Sequence, residues 1–217
     1  MQGELEAALA RVLPEPVRLT VAGRTDAGVH ALGQVASFEH TAEVPESLAA
    51  RVTAVSSRDV VVVRAEAAPD GFDARRDARS RSYLYRVWTS AVPSPFEEGR
   101  ALWWRYALDD EALAAAAAAL VGTHDFTAFT PTETSHTRFE RHILAAGWSR
   151  EGHVLTFRVE ADAFMRHMVR VLVGTMLEVG EARRPLDDFV RLLEGAHRRD
   201  AGETAPPHGL YLESVRY

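Results

Sequence analysis

The chain has 217 residues, 47% of them hydrophobic, with 25 basic and 31 acidic side chains and a formal net charge of −6. It holds no cysteine and no lysine, every basic residue being arginine, which excludes disulfides, thiolate zinc sites, cysteine nucleophiles and Schiff-base chemistry. No apolar run approaches the ~20 residues of a membrane span, no signal peptide is expected, and the reading is a cytoplasmic globular protein of one large or two small domains.

In chain order, residues 2–13 read as an amphipathic helix, with Leu5, Leu9, Val12 and Leu13 at helical spacing and Pro14 and Pro16 ending it. A strand is expected over 18–22, a loop over 23–31, and a second strand over 33–38. Pro45 announces a helix over 47–52. The β-branched run Val60 to Val63 predicts a strand over 59–66, and Asp70-Gly71 a turn. Residues 80–88 read as a strand with Tyr83 and Tyr85 on one face. A proline- and glycine-bearing loop around 92–99 divides the chain into halves, 1–96 and 97–217. Beyond it the pattern predicts an alanine-rich helix over 109–121 that Gly122 ends. Paired strands over 139–149 and 153–161 follow, joined at Glu151-Gly152. A long helix over 163–179, a shorter one from Pro185, and a closing strand over 210–216 complete the chain. Strands interleaved with helices in both halves suit an α+β fold.

The segment Gly23-Arg24-Thr25-Asp26-Ala27-Gly28-Val29-His30-Ala31 carries the strongest chemical signal. Glycines at 23 and 28 allow a tight turn that holds Asp26 outside any regular ladder. Arg24, two residues away, can orient that carboxylate through charge-assisted hydrogen bonds. The segment therefore reads as a presented oxygen nucleophile or base, or as a surface Asx-type turn with an incidental ion pair. Gly23 to Gly28 shares the spacing of a phosphate-binding loop, but Val29-His30 stands where that loop needs Lys and Ser/Thr. G-x-S-x-G and G-x-G-x-x-G motifs are absent, so serine-hydrolase and dinucleotide readings lack support.

Two further constellations stand out. Arg75, Arg76, Arg79, Arg81 and Arg86 crowd one stretch with Tyr83 and Tyr85 among them. Guanidinium groups grip phosphates and tyrosine rings stack on bases, although a solvated charged face and core-packed tyrosines give the same pattern. Spacing does not separate Tyr83 from Tyr85. The second constellation runs from Phe164 to Gly174, an apolar stripe carrying Arg166 and Arg170. An arginine in such a segment is costly without a partner for its charge, and Asp26 is a candidate partner. His30, His124, His142 and His167 show no ligand spacing and read as core or surface histidines, not as a metal site.

Taken together and in this order, these pieces resemble the tRNA pseudouridine synthase A family. The matching segments are Gln2 to Glu6, Gly23 to Ala31, Gly33 to Glu39, Phe72 to Arg75, Arg81 to Tyr85, His124-Asp125-Phe126, Phe164 to Gly180 and Gly209-Leu210-Tyr211. They span nearly the whole chain. The resemblance implies isomerisation of uridine to pseudouridine in the anticodon stem-loop of tRNA, at roughly positions 38 to 40, on a base that leaves its stack. By match, Asp26 is the catalytic aspartate, attacking either the base or the sugar carbon. Tyr83 packs on the target uracil, Arg170 pairs with the carboxylate and Arg24 positions substrate. Arg75, Arg76 and Arg79 are candidates for phosphate contacts. No cofactor, metal or redox partner is implied.

The same resemblance implies a homodimer with tRNA lying across both subunits. It also implies a pseudouridine synthase fold: a mixed, mostly antiparallel sheet flanked by helices, in two related halves around a central cleft. The family opens with a further strand and a Tyr-Asp-Gly-Thr-like turn that this sequence lacks. Loss of that strand is expected to leave an unpaired edge in the first half. Two rivals follow: a catalytically impaired tRNA-binding module that keeps the fold, and a metal-dependent hydrolase using Asp26 with nearby histidines.

Overall fold

The computed structural model describes residues 1–41, 43–134 and 137–217. In chain order its first elements are α1 (Gln2–Val12), β1 (Thr20–Val21), β2 (His30–Ala31), β3 (Ala36–Ser37) and α2 (Leu48–Val55). Then come β4 (Ser80–Trp88), β5 (Leu102–Trp103), α3 (Asp110–Ala118), β6 (Gly122–Asp125), β7 (Glu140–Glu151) and β8 (Val154–Ala161). The last are α4 (Met168–Gly180), α5 (Leu186–Arg191) and β9 (Leu210–Arg216). They form two compact units, Met1–Arg24 with Gln34–Ala78, and Thr25–Gly33 with Arg79–Tyr217.

The first unit is small. Ala8 and Leu9 from α1 and Leu13 just past its end meet Leu48 and Val52 from α2 and Leu19 before β1. Side chains replace part of a ladder there: Gln2 Nε2 donates to the Leu19 carbonyl at 2.9 Å, and the Leu19 amide donates to Glu6 Oε1 at 3.0 Å. That amide is the main reason the Glu6 carboxyl titrates below its usual range. β1 and β3 pair antiparallel, Thr20 against Ser37 and Val21 against Ala36. The Gln34 side chain closes the same end by donating to the Gly23 carbonyl at 2.7 Å.

The strand expected over 59–66 does not form. The Val62 amide bonds Thr53 Oγ1 at 2.9 Å and the Val60 amide bonds the Ser57 carbonyl at 3.0 Å, so the end of α2 and its following turn take the donors a ladder would use. The β-branched run has no regular structure, with Val61 and Val63 exposed.

The second unit is built on a seven-stranded sheet in the order β2-β9-β4-β8-β7-β6, with β5 paired to β4. β4 lies antiparallel between β8 and β9, while β2 on β9 and β5 on β4 are parallel. The sheet is therefore mixed and mostly antiparallel, as the family resemblance implies. Its apolar face carries Tyr83, Tyr85 and Val87 from β4, Phe157 and Val159 from β8 and Leu212 from β9, packed with residues of α3 and α4. The opposite face holds ion pairs, Arg86 with Glu97 at 2.9 Å and Arg158 with Glu213 at 3.2 Å. Asp109 caps α3, accepting from the amides of Glu111 and Ala112. Among the described residues no helix is long and apolar enough to cross a membrane.

α4 is apolar on almost every side, with ten of its thirteen residues buried. It begins at Met168, later than the hydrophobic pattern suggests, because His167 takes a left-handed backbone at φ 61°, ψ −3°. Arg170, Gly174 and Glu178 recur every four residues, and the segment 201–205 runs over this stripe. The Ala205 amide donates to the Arg170 carbonyl at 3.1 Å, and a Cβ added at Gly174 would sit 1.9 Å from the Glu203 carbonyl oxygen. Only glycine permits so close a crossing.

Candidate active site

The loop bearing Asp26 belongs to the second unit and is fixed by β9. Asp26 to Val29 makes a turn, the Val29 amide donating to the Asp26 carbonyl at 3.1 Å, with Gly28 at φ 82°. Past the turn, His30 and Ala31 pair with Tyr211 and Leu212, and the Leu32 amide bonds the Leu212 carbonyl at 2.8 Å. The His30 ring stacks on Tyr211 with centroids 4.6 Å apart. β2 was not visible in the sequence, because two residues give no periodicity and owe their pairing wholly to β9.

Asp26 meets the arginine that the apolar pattern flagged. Arg170 Nη1 donates to Asp26 Oδ2 at 2.9 Å, across 144 positions of sequence. Its Nε donates to the Ala205 carbonyl at 2.7 Å. The guanidinium is thus spanned between a carboxylate and a backbone oxygen, and its side chain is only 13% exposed while that of Asp26 is 36% exposed. A charge so placed is satisfied rather than costly.

His167 is the residue that sequence reasoning missed. Its Nε2 stands 3.3 Å from the same Oδ2. Burial holds its titration below the ordinary histidine value; Asp26 opposes this, and Arg170, Arg166 and Arg198 reinforce it. The only local signal was its place between Arg166 and Arg170 at the start of the apolar segment.

The two tyrosines have different surroundings. Tyr85 is fully buried and its hydroxyl donates to the Pro206 carbonyl at 2.8 Å. Tyr83 lies edge-on to Phe164 with centroids 5.0 Å apart. Its phenol titration is pushed up to about 12, chiefly by burial, with Arg81 opposing and the Asp26 charge adding to the rise. Asp26, Arg170, His167 and Tyr83 therefore share one neighbourhood of the second unit.

The remaining candidates are all exposed. Arg24 is exposed in the first unit, as are Arg75 and Arg76. Their local turn is held by Asp73, which accepts both backbone amides and the Arg76 Nε. Arg79 is exposed in the second unit, its amide donating to the Arg216 carbonyl at 2.8 Å. Among the described residues no group of three histidine, aspartate or glutamate side chains is placed to hold a metal ion.

Comparison with known proteins places this geometry in context. A family model described as tRNA pseudouridine synthase matches residues 116–217. Over its whole length the chain is 42% identical to the tRNA pseudouridine synthase A of Burkholderia multivorans, covering 81% of that protein. It is 40% identical to that of an Exiguobacterium species, covering 88%, and 44% identical to that of Frankia casuarinae, covering 80%.

Proposed function

Because the chain belongs to the tRNA pseudouridine synthase A family, a family of isomerases, we propose that Asp26 is the nucleophile of a uridine-to-pseudouridine isomerisation. The substrate is the anticodon stem-loop of tRNA, at roughly positions 38 to 40, where the target base must leave its stack. In this reaction the N1–C1′ bond breaks, the base turns and a C5–C1′ bond forms. The C5 proton departs and N1 takes up a proton, so atoms and electrons balance with no oxidant or reductant.

The observation that carries the assignment is the 2.9 Å contact between Asp26 Oδ2 and Arg170 Nη1. A carboxylate must be held and kept partly open if it is to attack, and this one is gripped through one oxygen by a guanidinium that is itself anchored. Attack on the base or on the sugar carbon both suit that arrangement. Tyr83 packs on the target uracil; its proximity to the Asp26 charge supports it over Tyr85, whose hydroxyl is committed to Pro206. Arg24 helps position substrate, and Arg75, Arg76 and Arg79 contact phosphates. The enzyme acts in the cytoplasm as a homodimer that binds tRNA across both subunits. A non-catalytic tRNA-binding role is not favoured, because carboxylate, guanidinium and tyrosine are all present and gathered.

Incubating the purified chain with tRNA alone and mapping pseudouridine in the anticodon arm tests the reading. Asp26→Asn and Asp26→Ala are each expected to lower turnover by about 10⁴-fold or more while tRNA still binds. Equal pseudouridine yields from parent and variants would discard Asp26 as the nucleophile.

A further inference from the structure

We propose that His167 is a positioning residue which acts with Arg170 on a single oxygen of Asp26, Oδ2, and so leaves Oδ1 as the oxygen presented to the substrate. The inference rests on the reading of Asp26 as nucleophile and adds to it a residue and an orientation.

Four observations carry it. His167 Nε2 and Arg170 Nη1 both approach Oδ2, at 3.3 and 2.9 Å, and among the described residues no hydrogen bond reaches Oδ1. The two partners are less exposed than the carboxylate, with side chains 24% and 13% exposed against 36%. They therefore engage it from the protein side and leave its open part outward. The backbone of His167 is left-handed, a conformation that non-glycine residues keep only where the surroundings impose it and that concentrates at functional sites. Finally, His167 occupies the N-cap of α4 without capping it by its side chain. The imidazole is thus not committed to the helix end.

The chemistry favours one tautomer. A neutral imidazole offers an N–H at one nitrogen and a lone pair at the other. A lone pair facing a carboxylate oxygen would be repelled, which favours the tautomer with its proton on Nε2, toward Asp26. The Arg170 hydrogen bond and the imidazole 3.3 Å from the same oxygen restrict rotation of the carboxylate about Cβ–Cγ more than the arginine alone can. A rotated carboxylate would misplace the attacking atom, and misplacement by about 1 Å can cost about a hundredfold in rate.

Three variants test this, each assayed by single-turnover conversion of tRNA over a range of enzyme concentrations and by thermal melting. His167→Phe keeps an aromatic side chain without a donor, His167→Gln restores an amide donor near the Nε2 position, and His167→Gly relieves the left-handed backbone. The expected result is a loss of about tenfold or more in the maximal rate for Phe and Gly, with half-saturation little changed, and recovery of most of the rate by Gln. The glycine variant should melt no lower than the parent, which separates positioning from a structural part in starting α4. Parent-like maximal rates for His167→Phe and His167→Gly, alongside an inactive Asp26→Asn, would overturn the role of His167 and leave Asp26 standing. An active Asp26→Asn would instead overturn the nucleophile itself.

Discussion

Arg170 does two jobs with one side chain, and that determines how it can be replaced. Its Nε serves the Ala205 carbonyl while its Nη1 serves Asp26, a division that a planar fork allows and a point ammonium does not. Arg170→Lys should therefore keep a positive charge yet lose one of the two bonds. We expect a fall of about 10- to 100-fold in single-turnover rate and a stability loss of about 1 kcal/mol, read by rapid-quench assay and urea titration. A rate unchanged by the lysine would mean that charge alone suffices. His167 gives a pH signature at the same scale. Burial, the main cause, lowers its titration below the histidine value of 6.5, so the folded protein binds that proton less well than the unfolded chain. The stability linked to this group is complete above about pH 6.5 and is lost as pH falls through the lower folded value. The melting temperature of the parent should drop between about pH 7 and about pH 5, and drop less in His167→Gln.

At the scale of elements, α4 and the segment crossing it work as one piece. The helix is buried nearly all round, and its one lighter stripe, Arg170-Gly174-Glu178, is where residues 201–205 lie. Gly174→Ala sets two effects against each other. Alanine favours a helix interior by about 1 kcal/mol over glycine, but its Cβ would meet the Glu203 carbonyl oxygen at 1.9 Å. Backbone must move to relieve that contact, and forced repacking costs about 1–3 kcal/mol or more. The steric effect wins, so Gly174→Ala should lower the urea midpoint. It should also depress the rate, since moving 201–205 shifts the Ala205 carbonyl that anchors Arg170. A variant as stable as the parent would show that the segment yields freely.

For the whole molecule the formal charge of −6 poses the question of how an acidic protein meets tRNA. Net charge governs long-range attraction, whereas affinity comes from local cations displacing counterions. With every basic residue an arginine, each contact can be a bidentate grip on phosphate. The affinity for tRNA should fall linearly in a plot of log K against log salt, with a slope of about −0.7 to −0.9 per phosphate neutralised. The double variant Arg75→Ala/Arg76→Ala should make that slope shallower by about 1 to 2 and weaken binding. Filter binding across a salt series measures both, and an unchanged slope would remove these arginines from the interface.

The sequence by itself determined the elements whose patterns are long and internally consistent. The strand over 80–88 and the closing strand over 210–216 have the bounds their alternation implies, and the pair around Glu151-Gly152 forms a hairpin. It also marked both partners of the 2.9 Å contact in the candidate site: a carboxylate lodged between glycines at Asp26, and a costly arginine in an apolar helix at Arg170. Tertiary structure decided the rest. Val60 to Val63 has strand composition but no ladder, because β propensity reflects packing against neighbours and cannot supply a partner. His30–Ala31 has no strand pattern yet pairs, because β9 offers an edge beside it. The approach of His167 to Asp26 was hidden for the same reason. Local chemistry sets what a residue can do, but which oxygen it faces across more than a hundred residues depends on burial and topology, which no local pattern encodes.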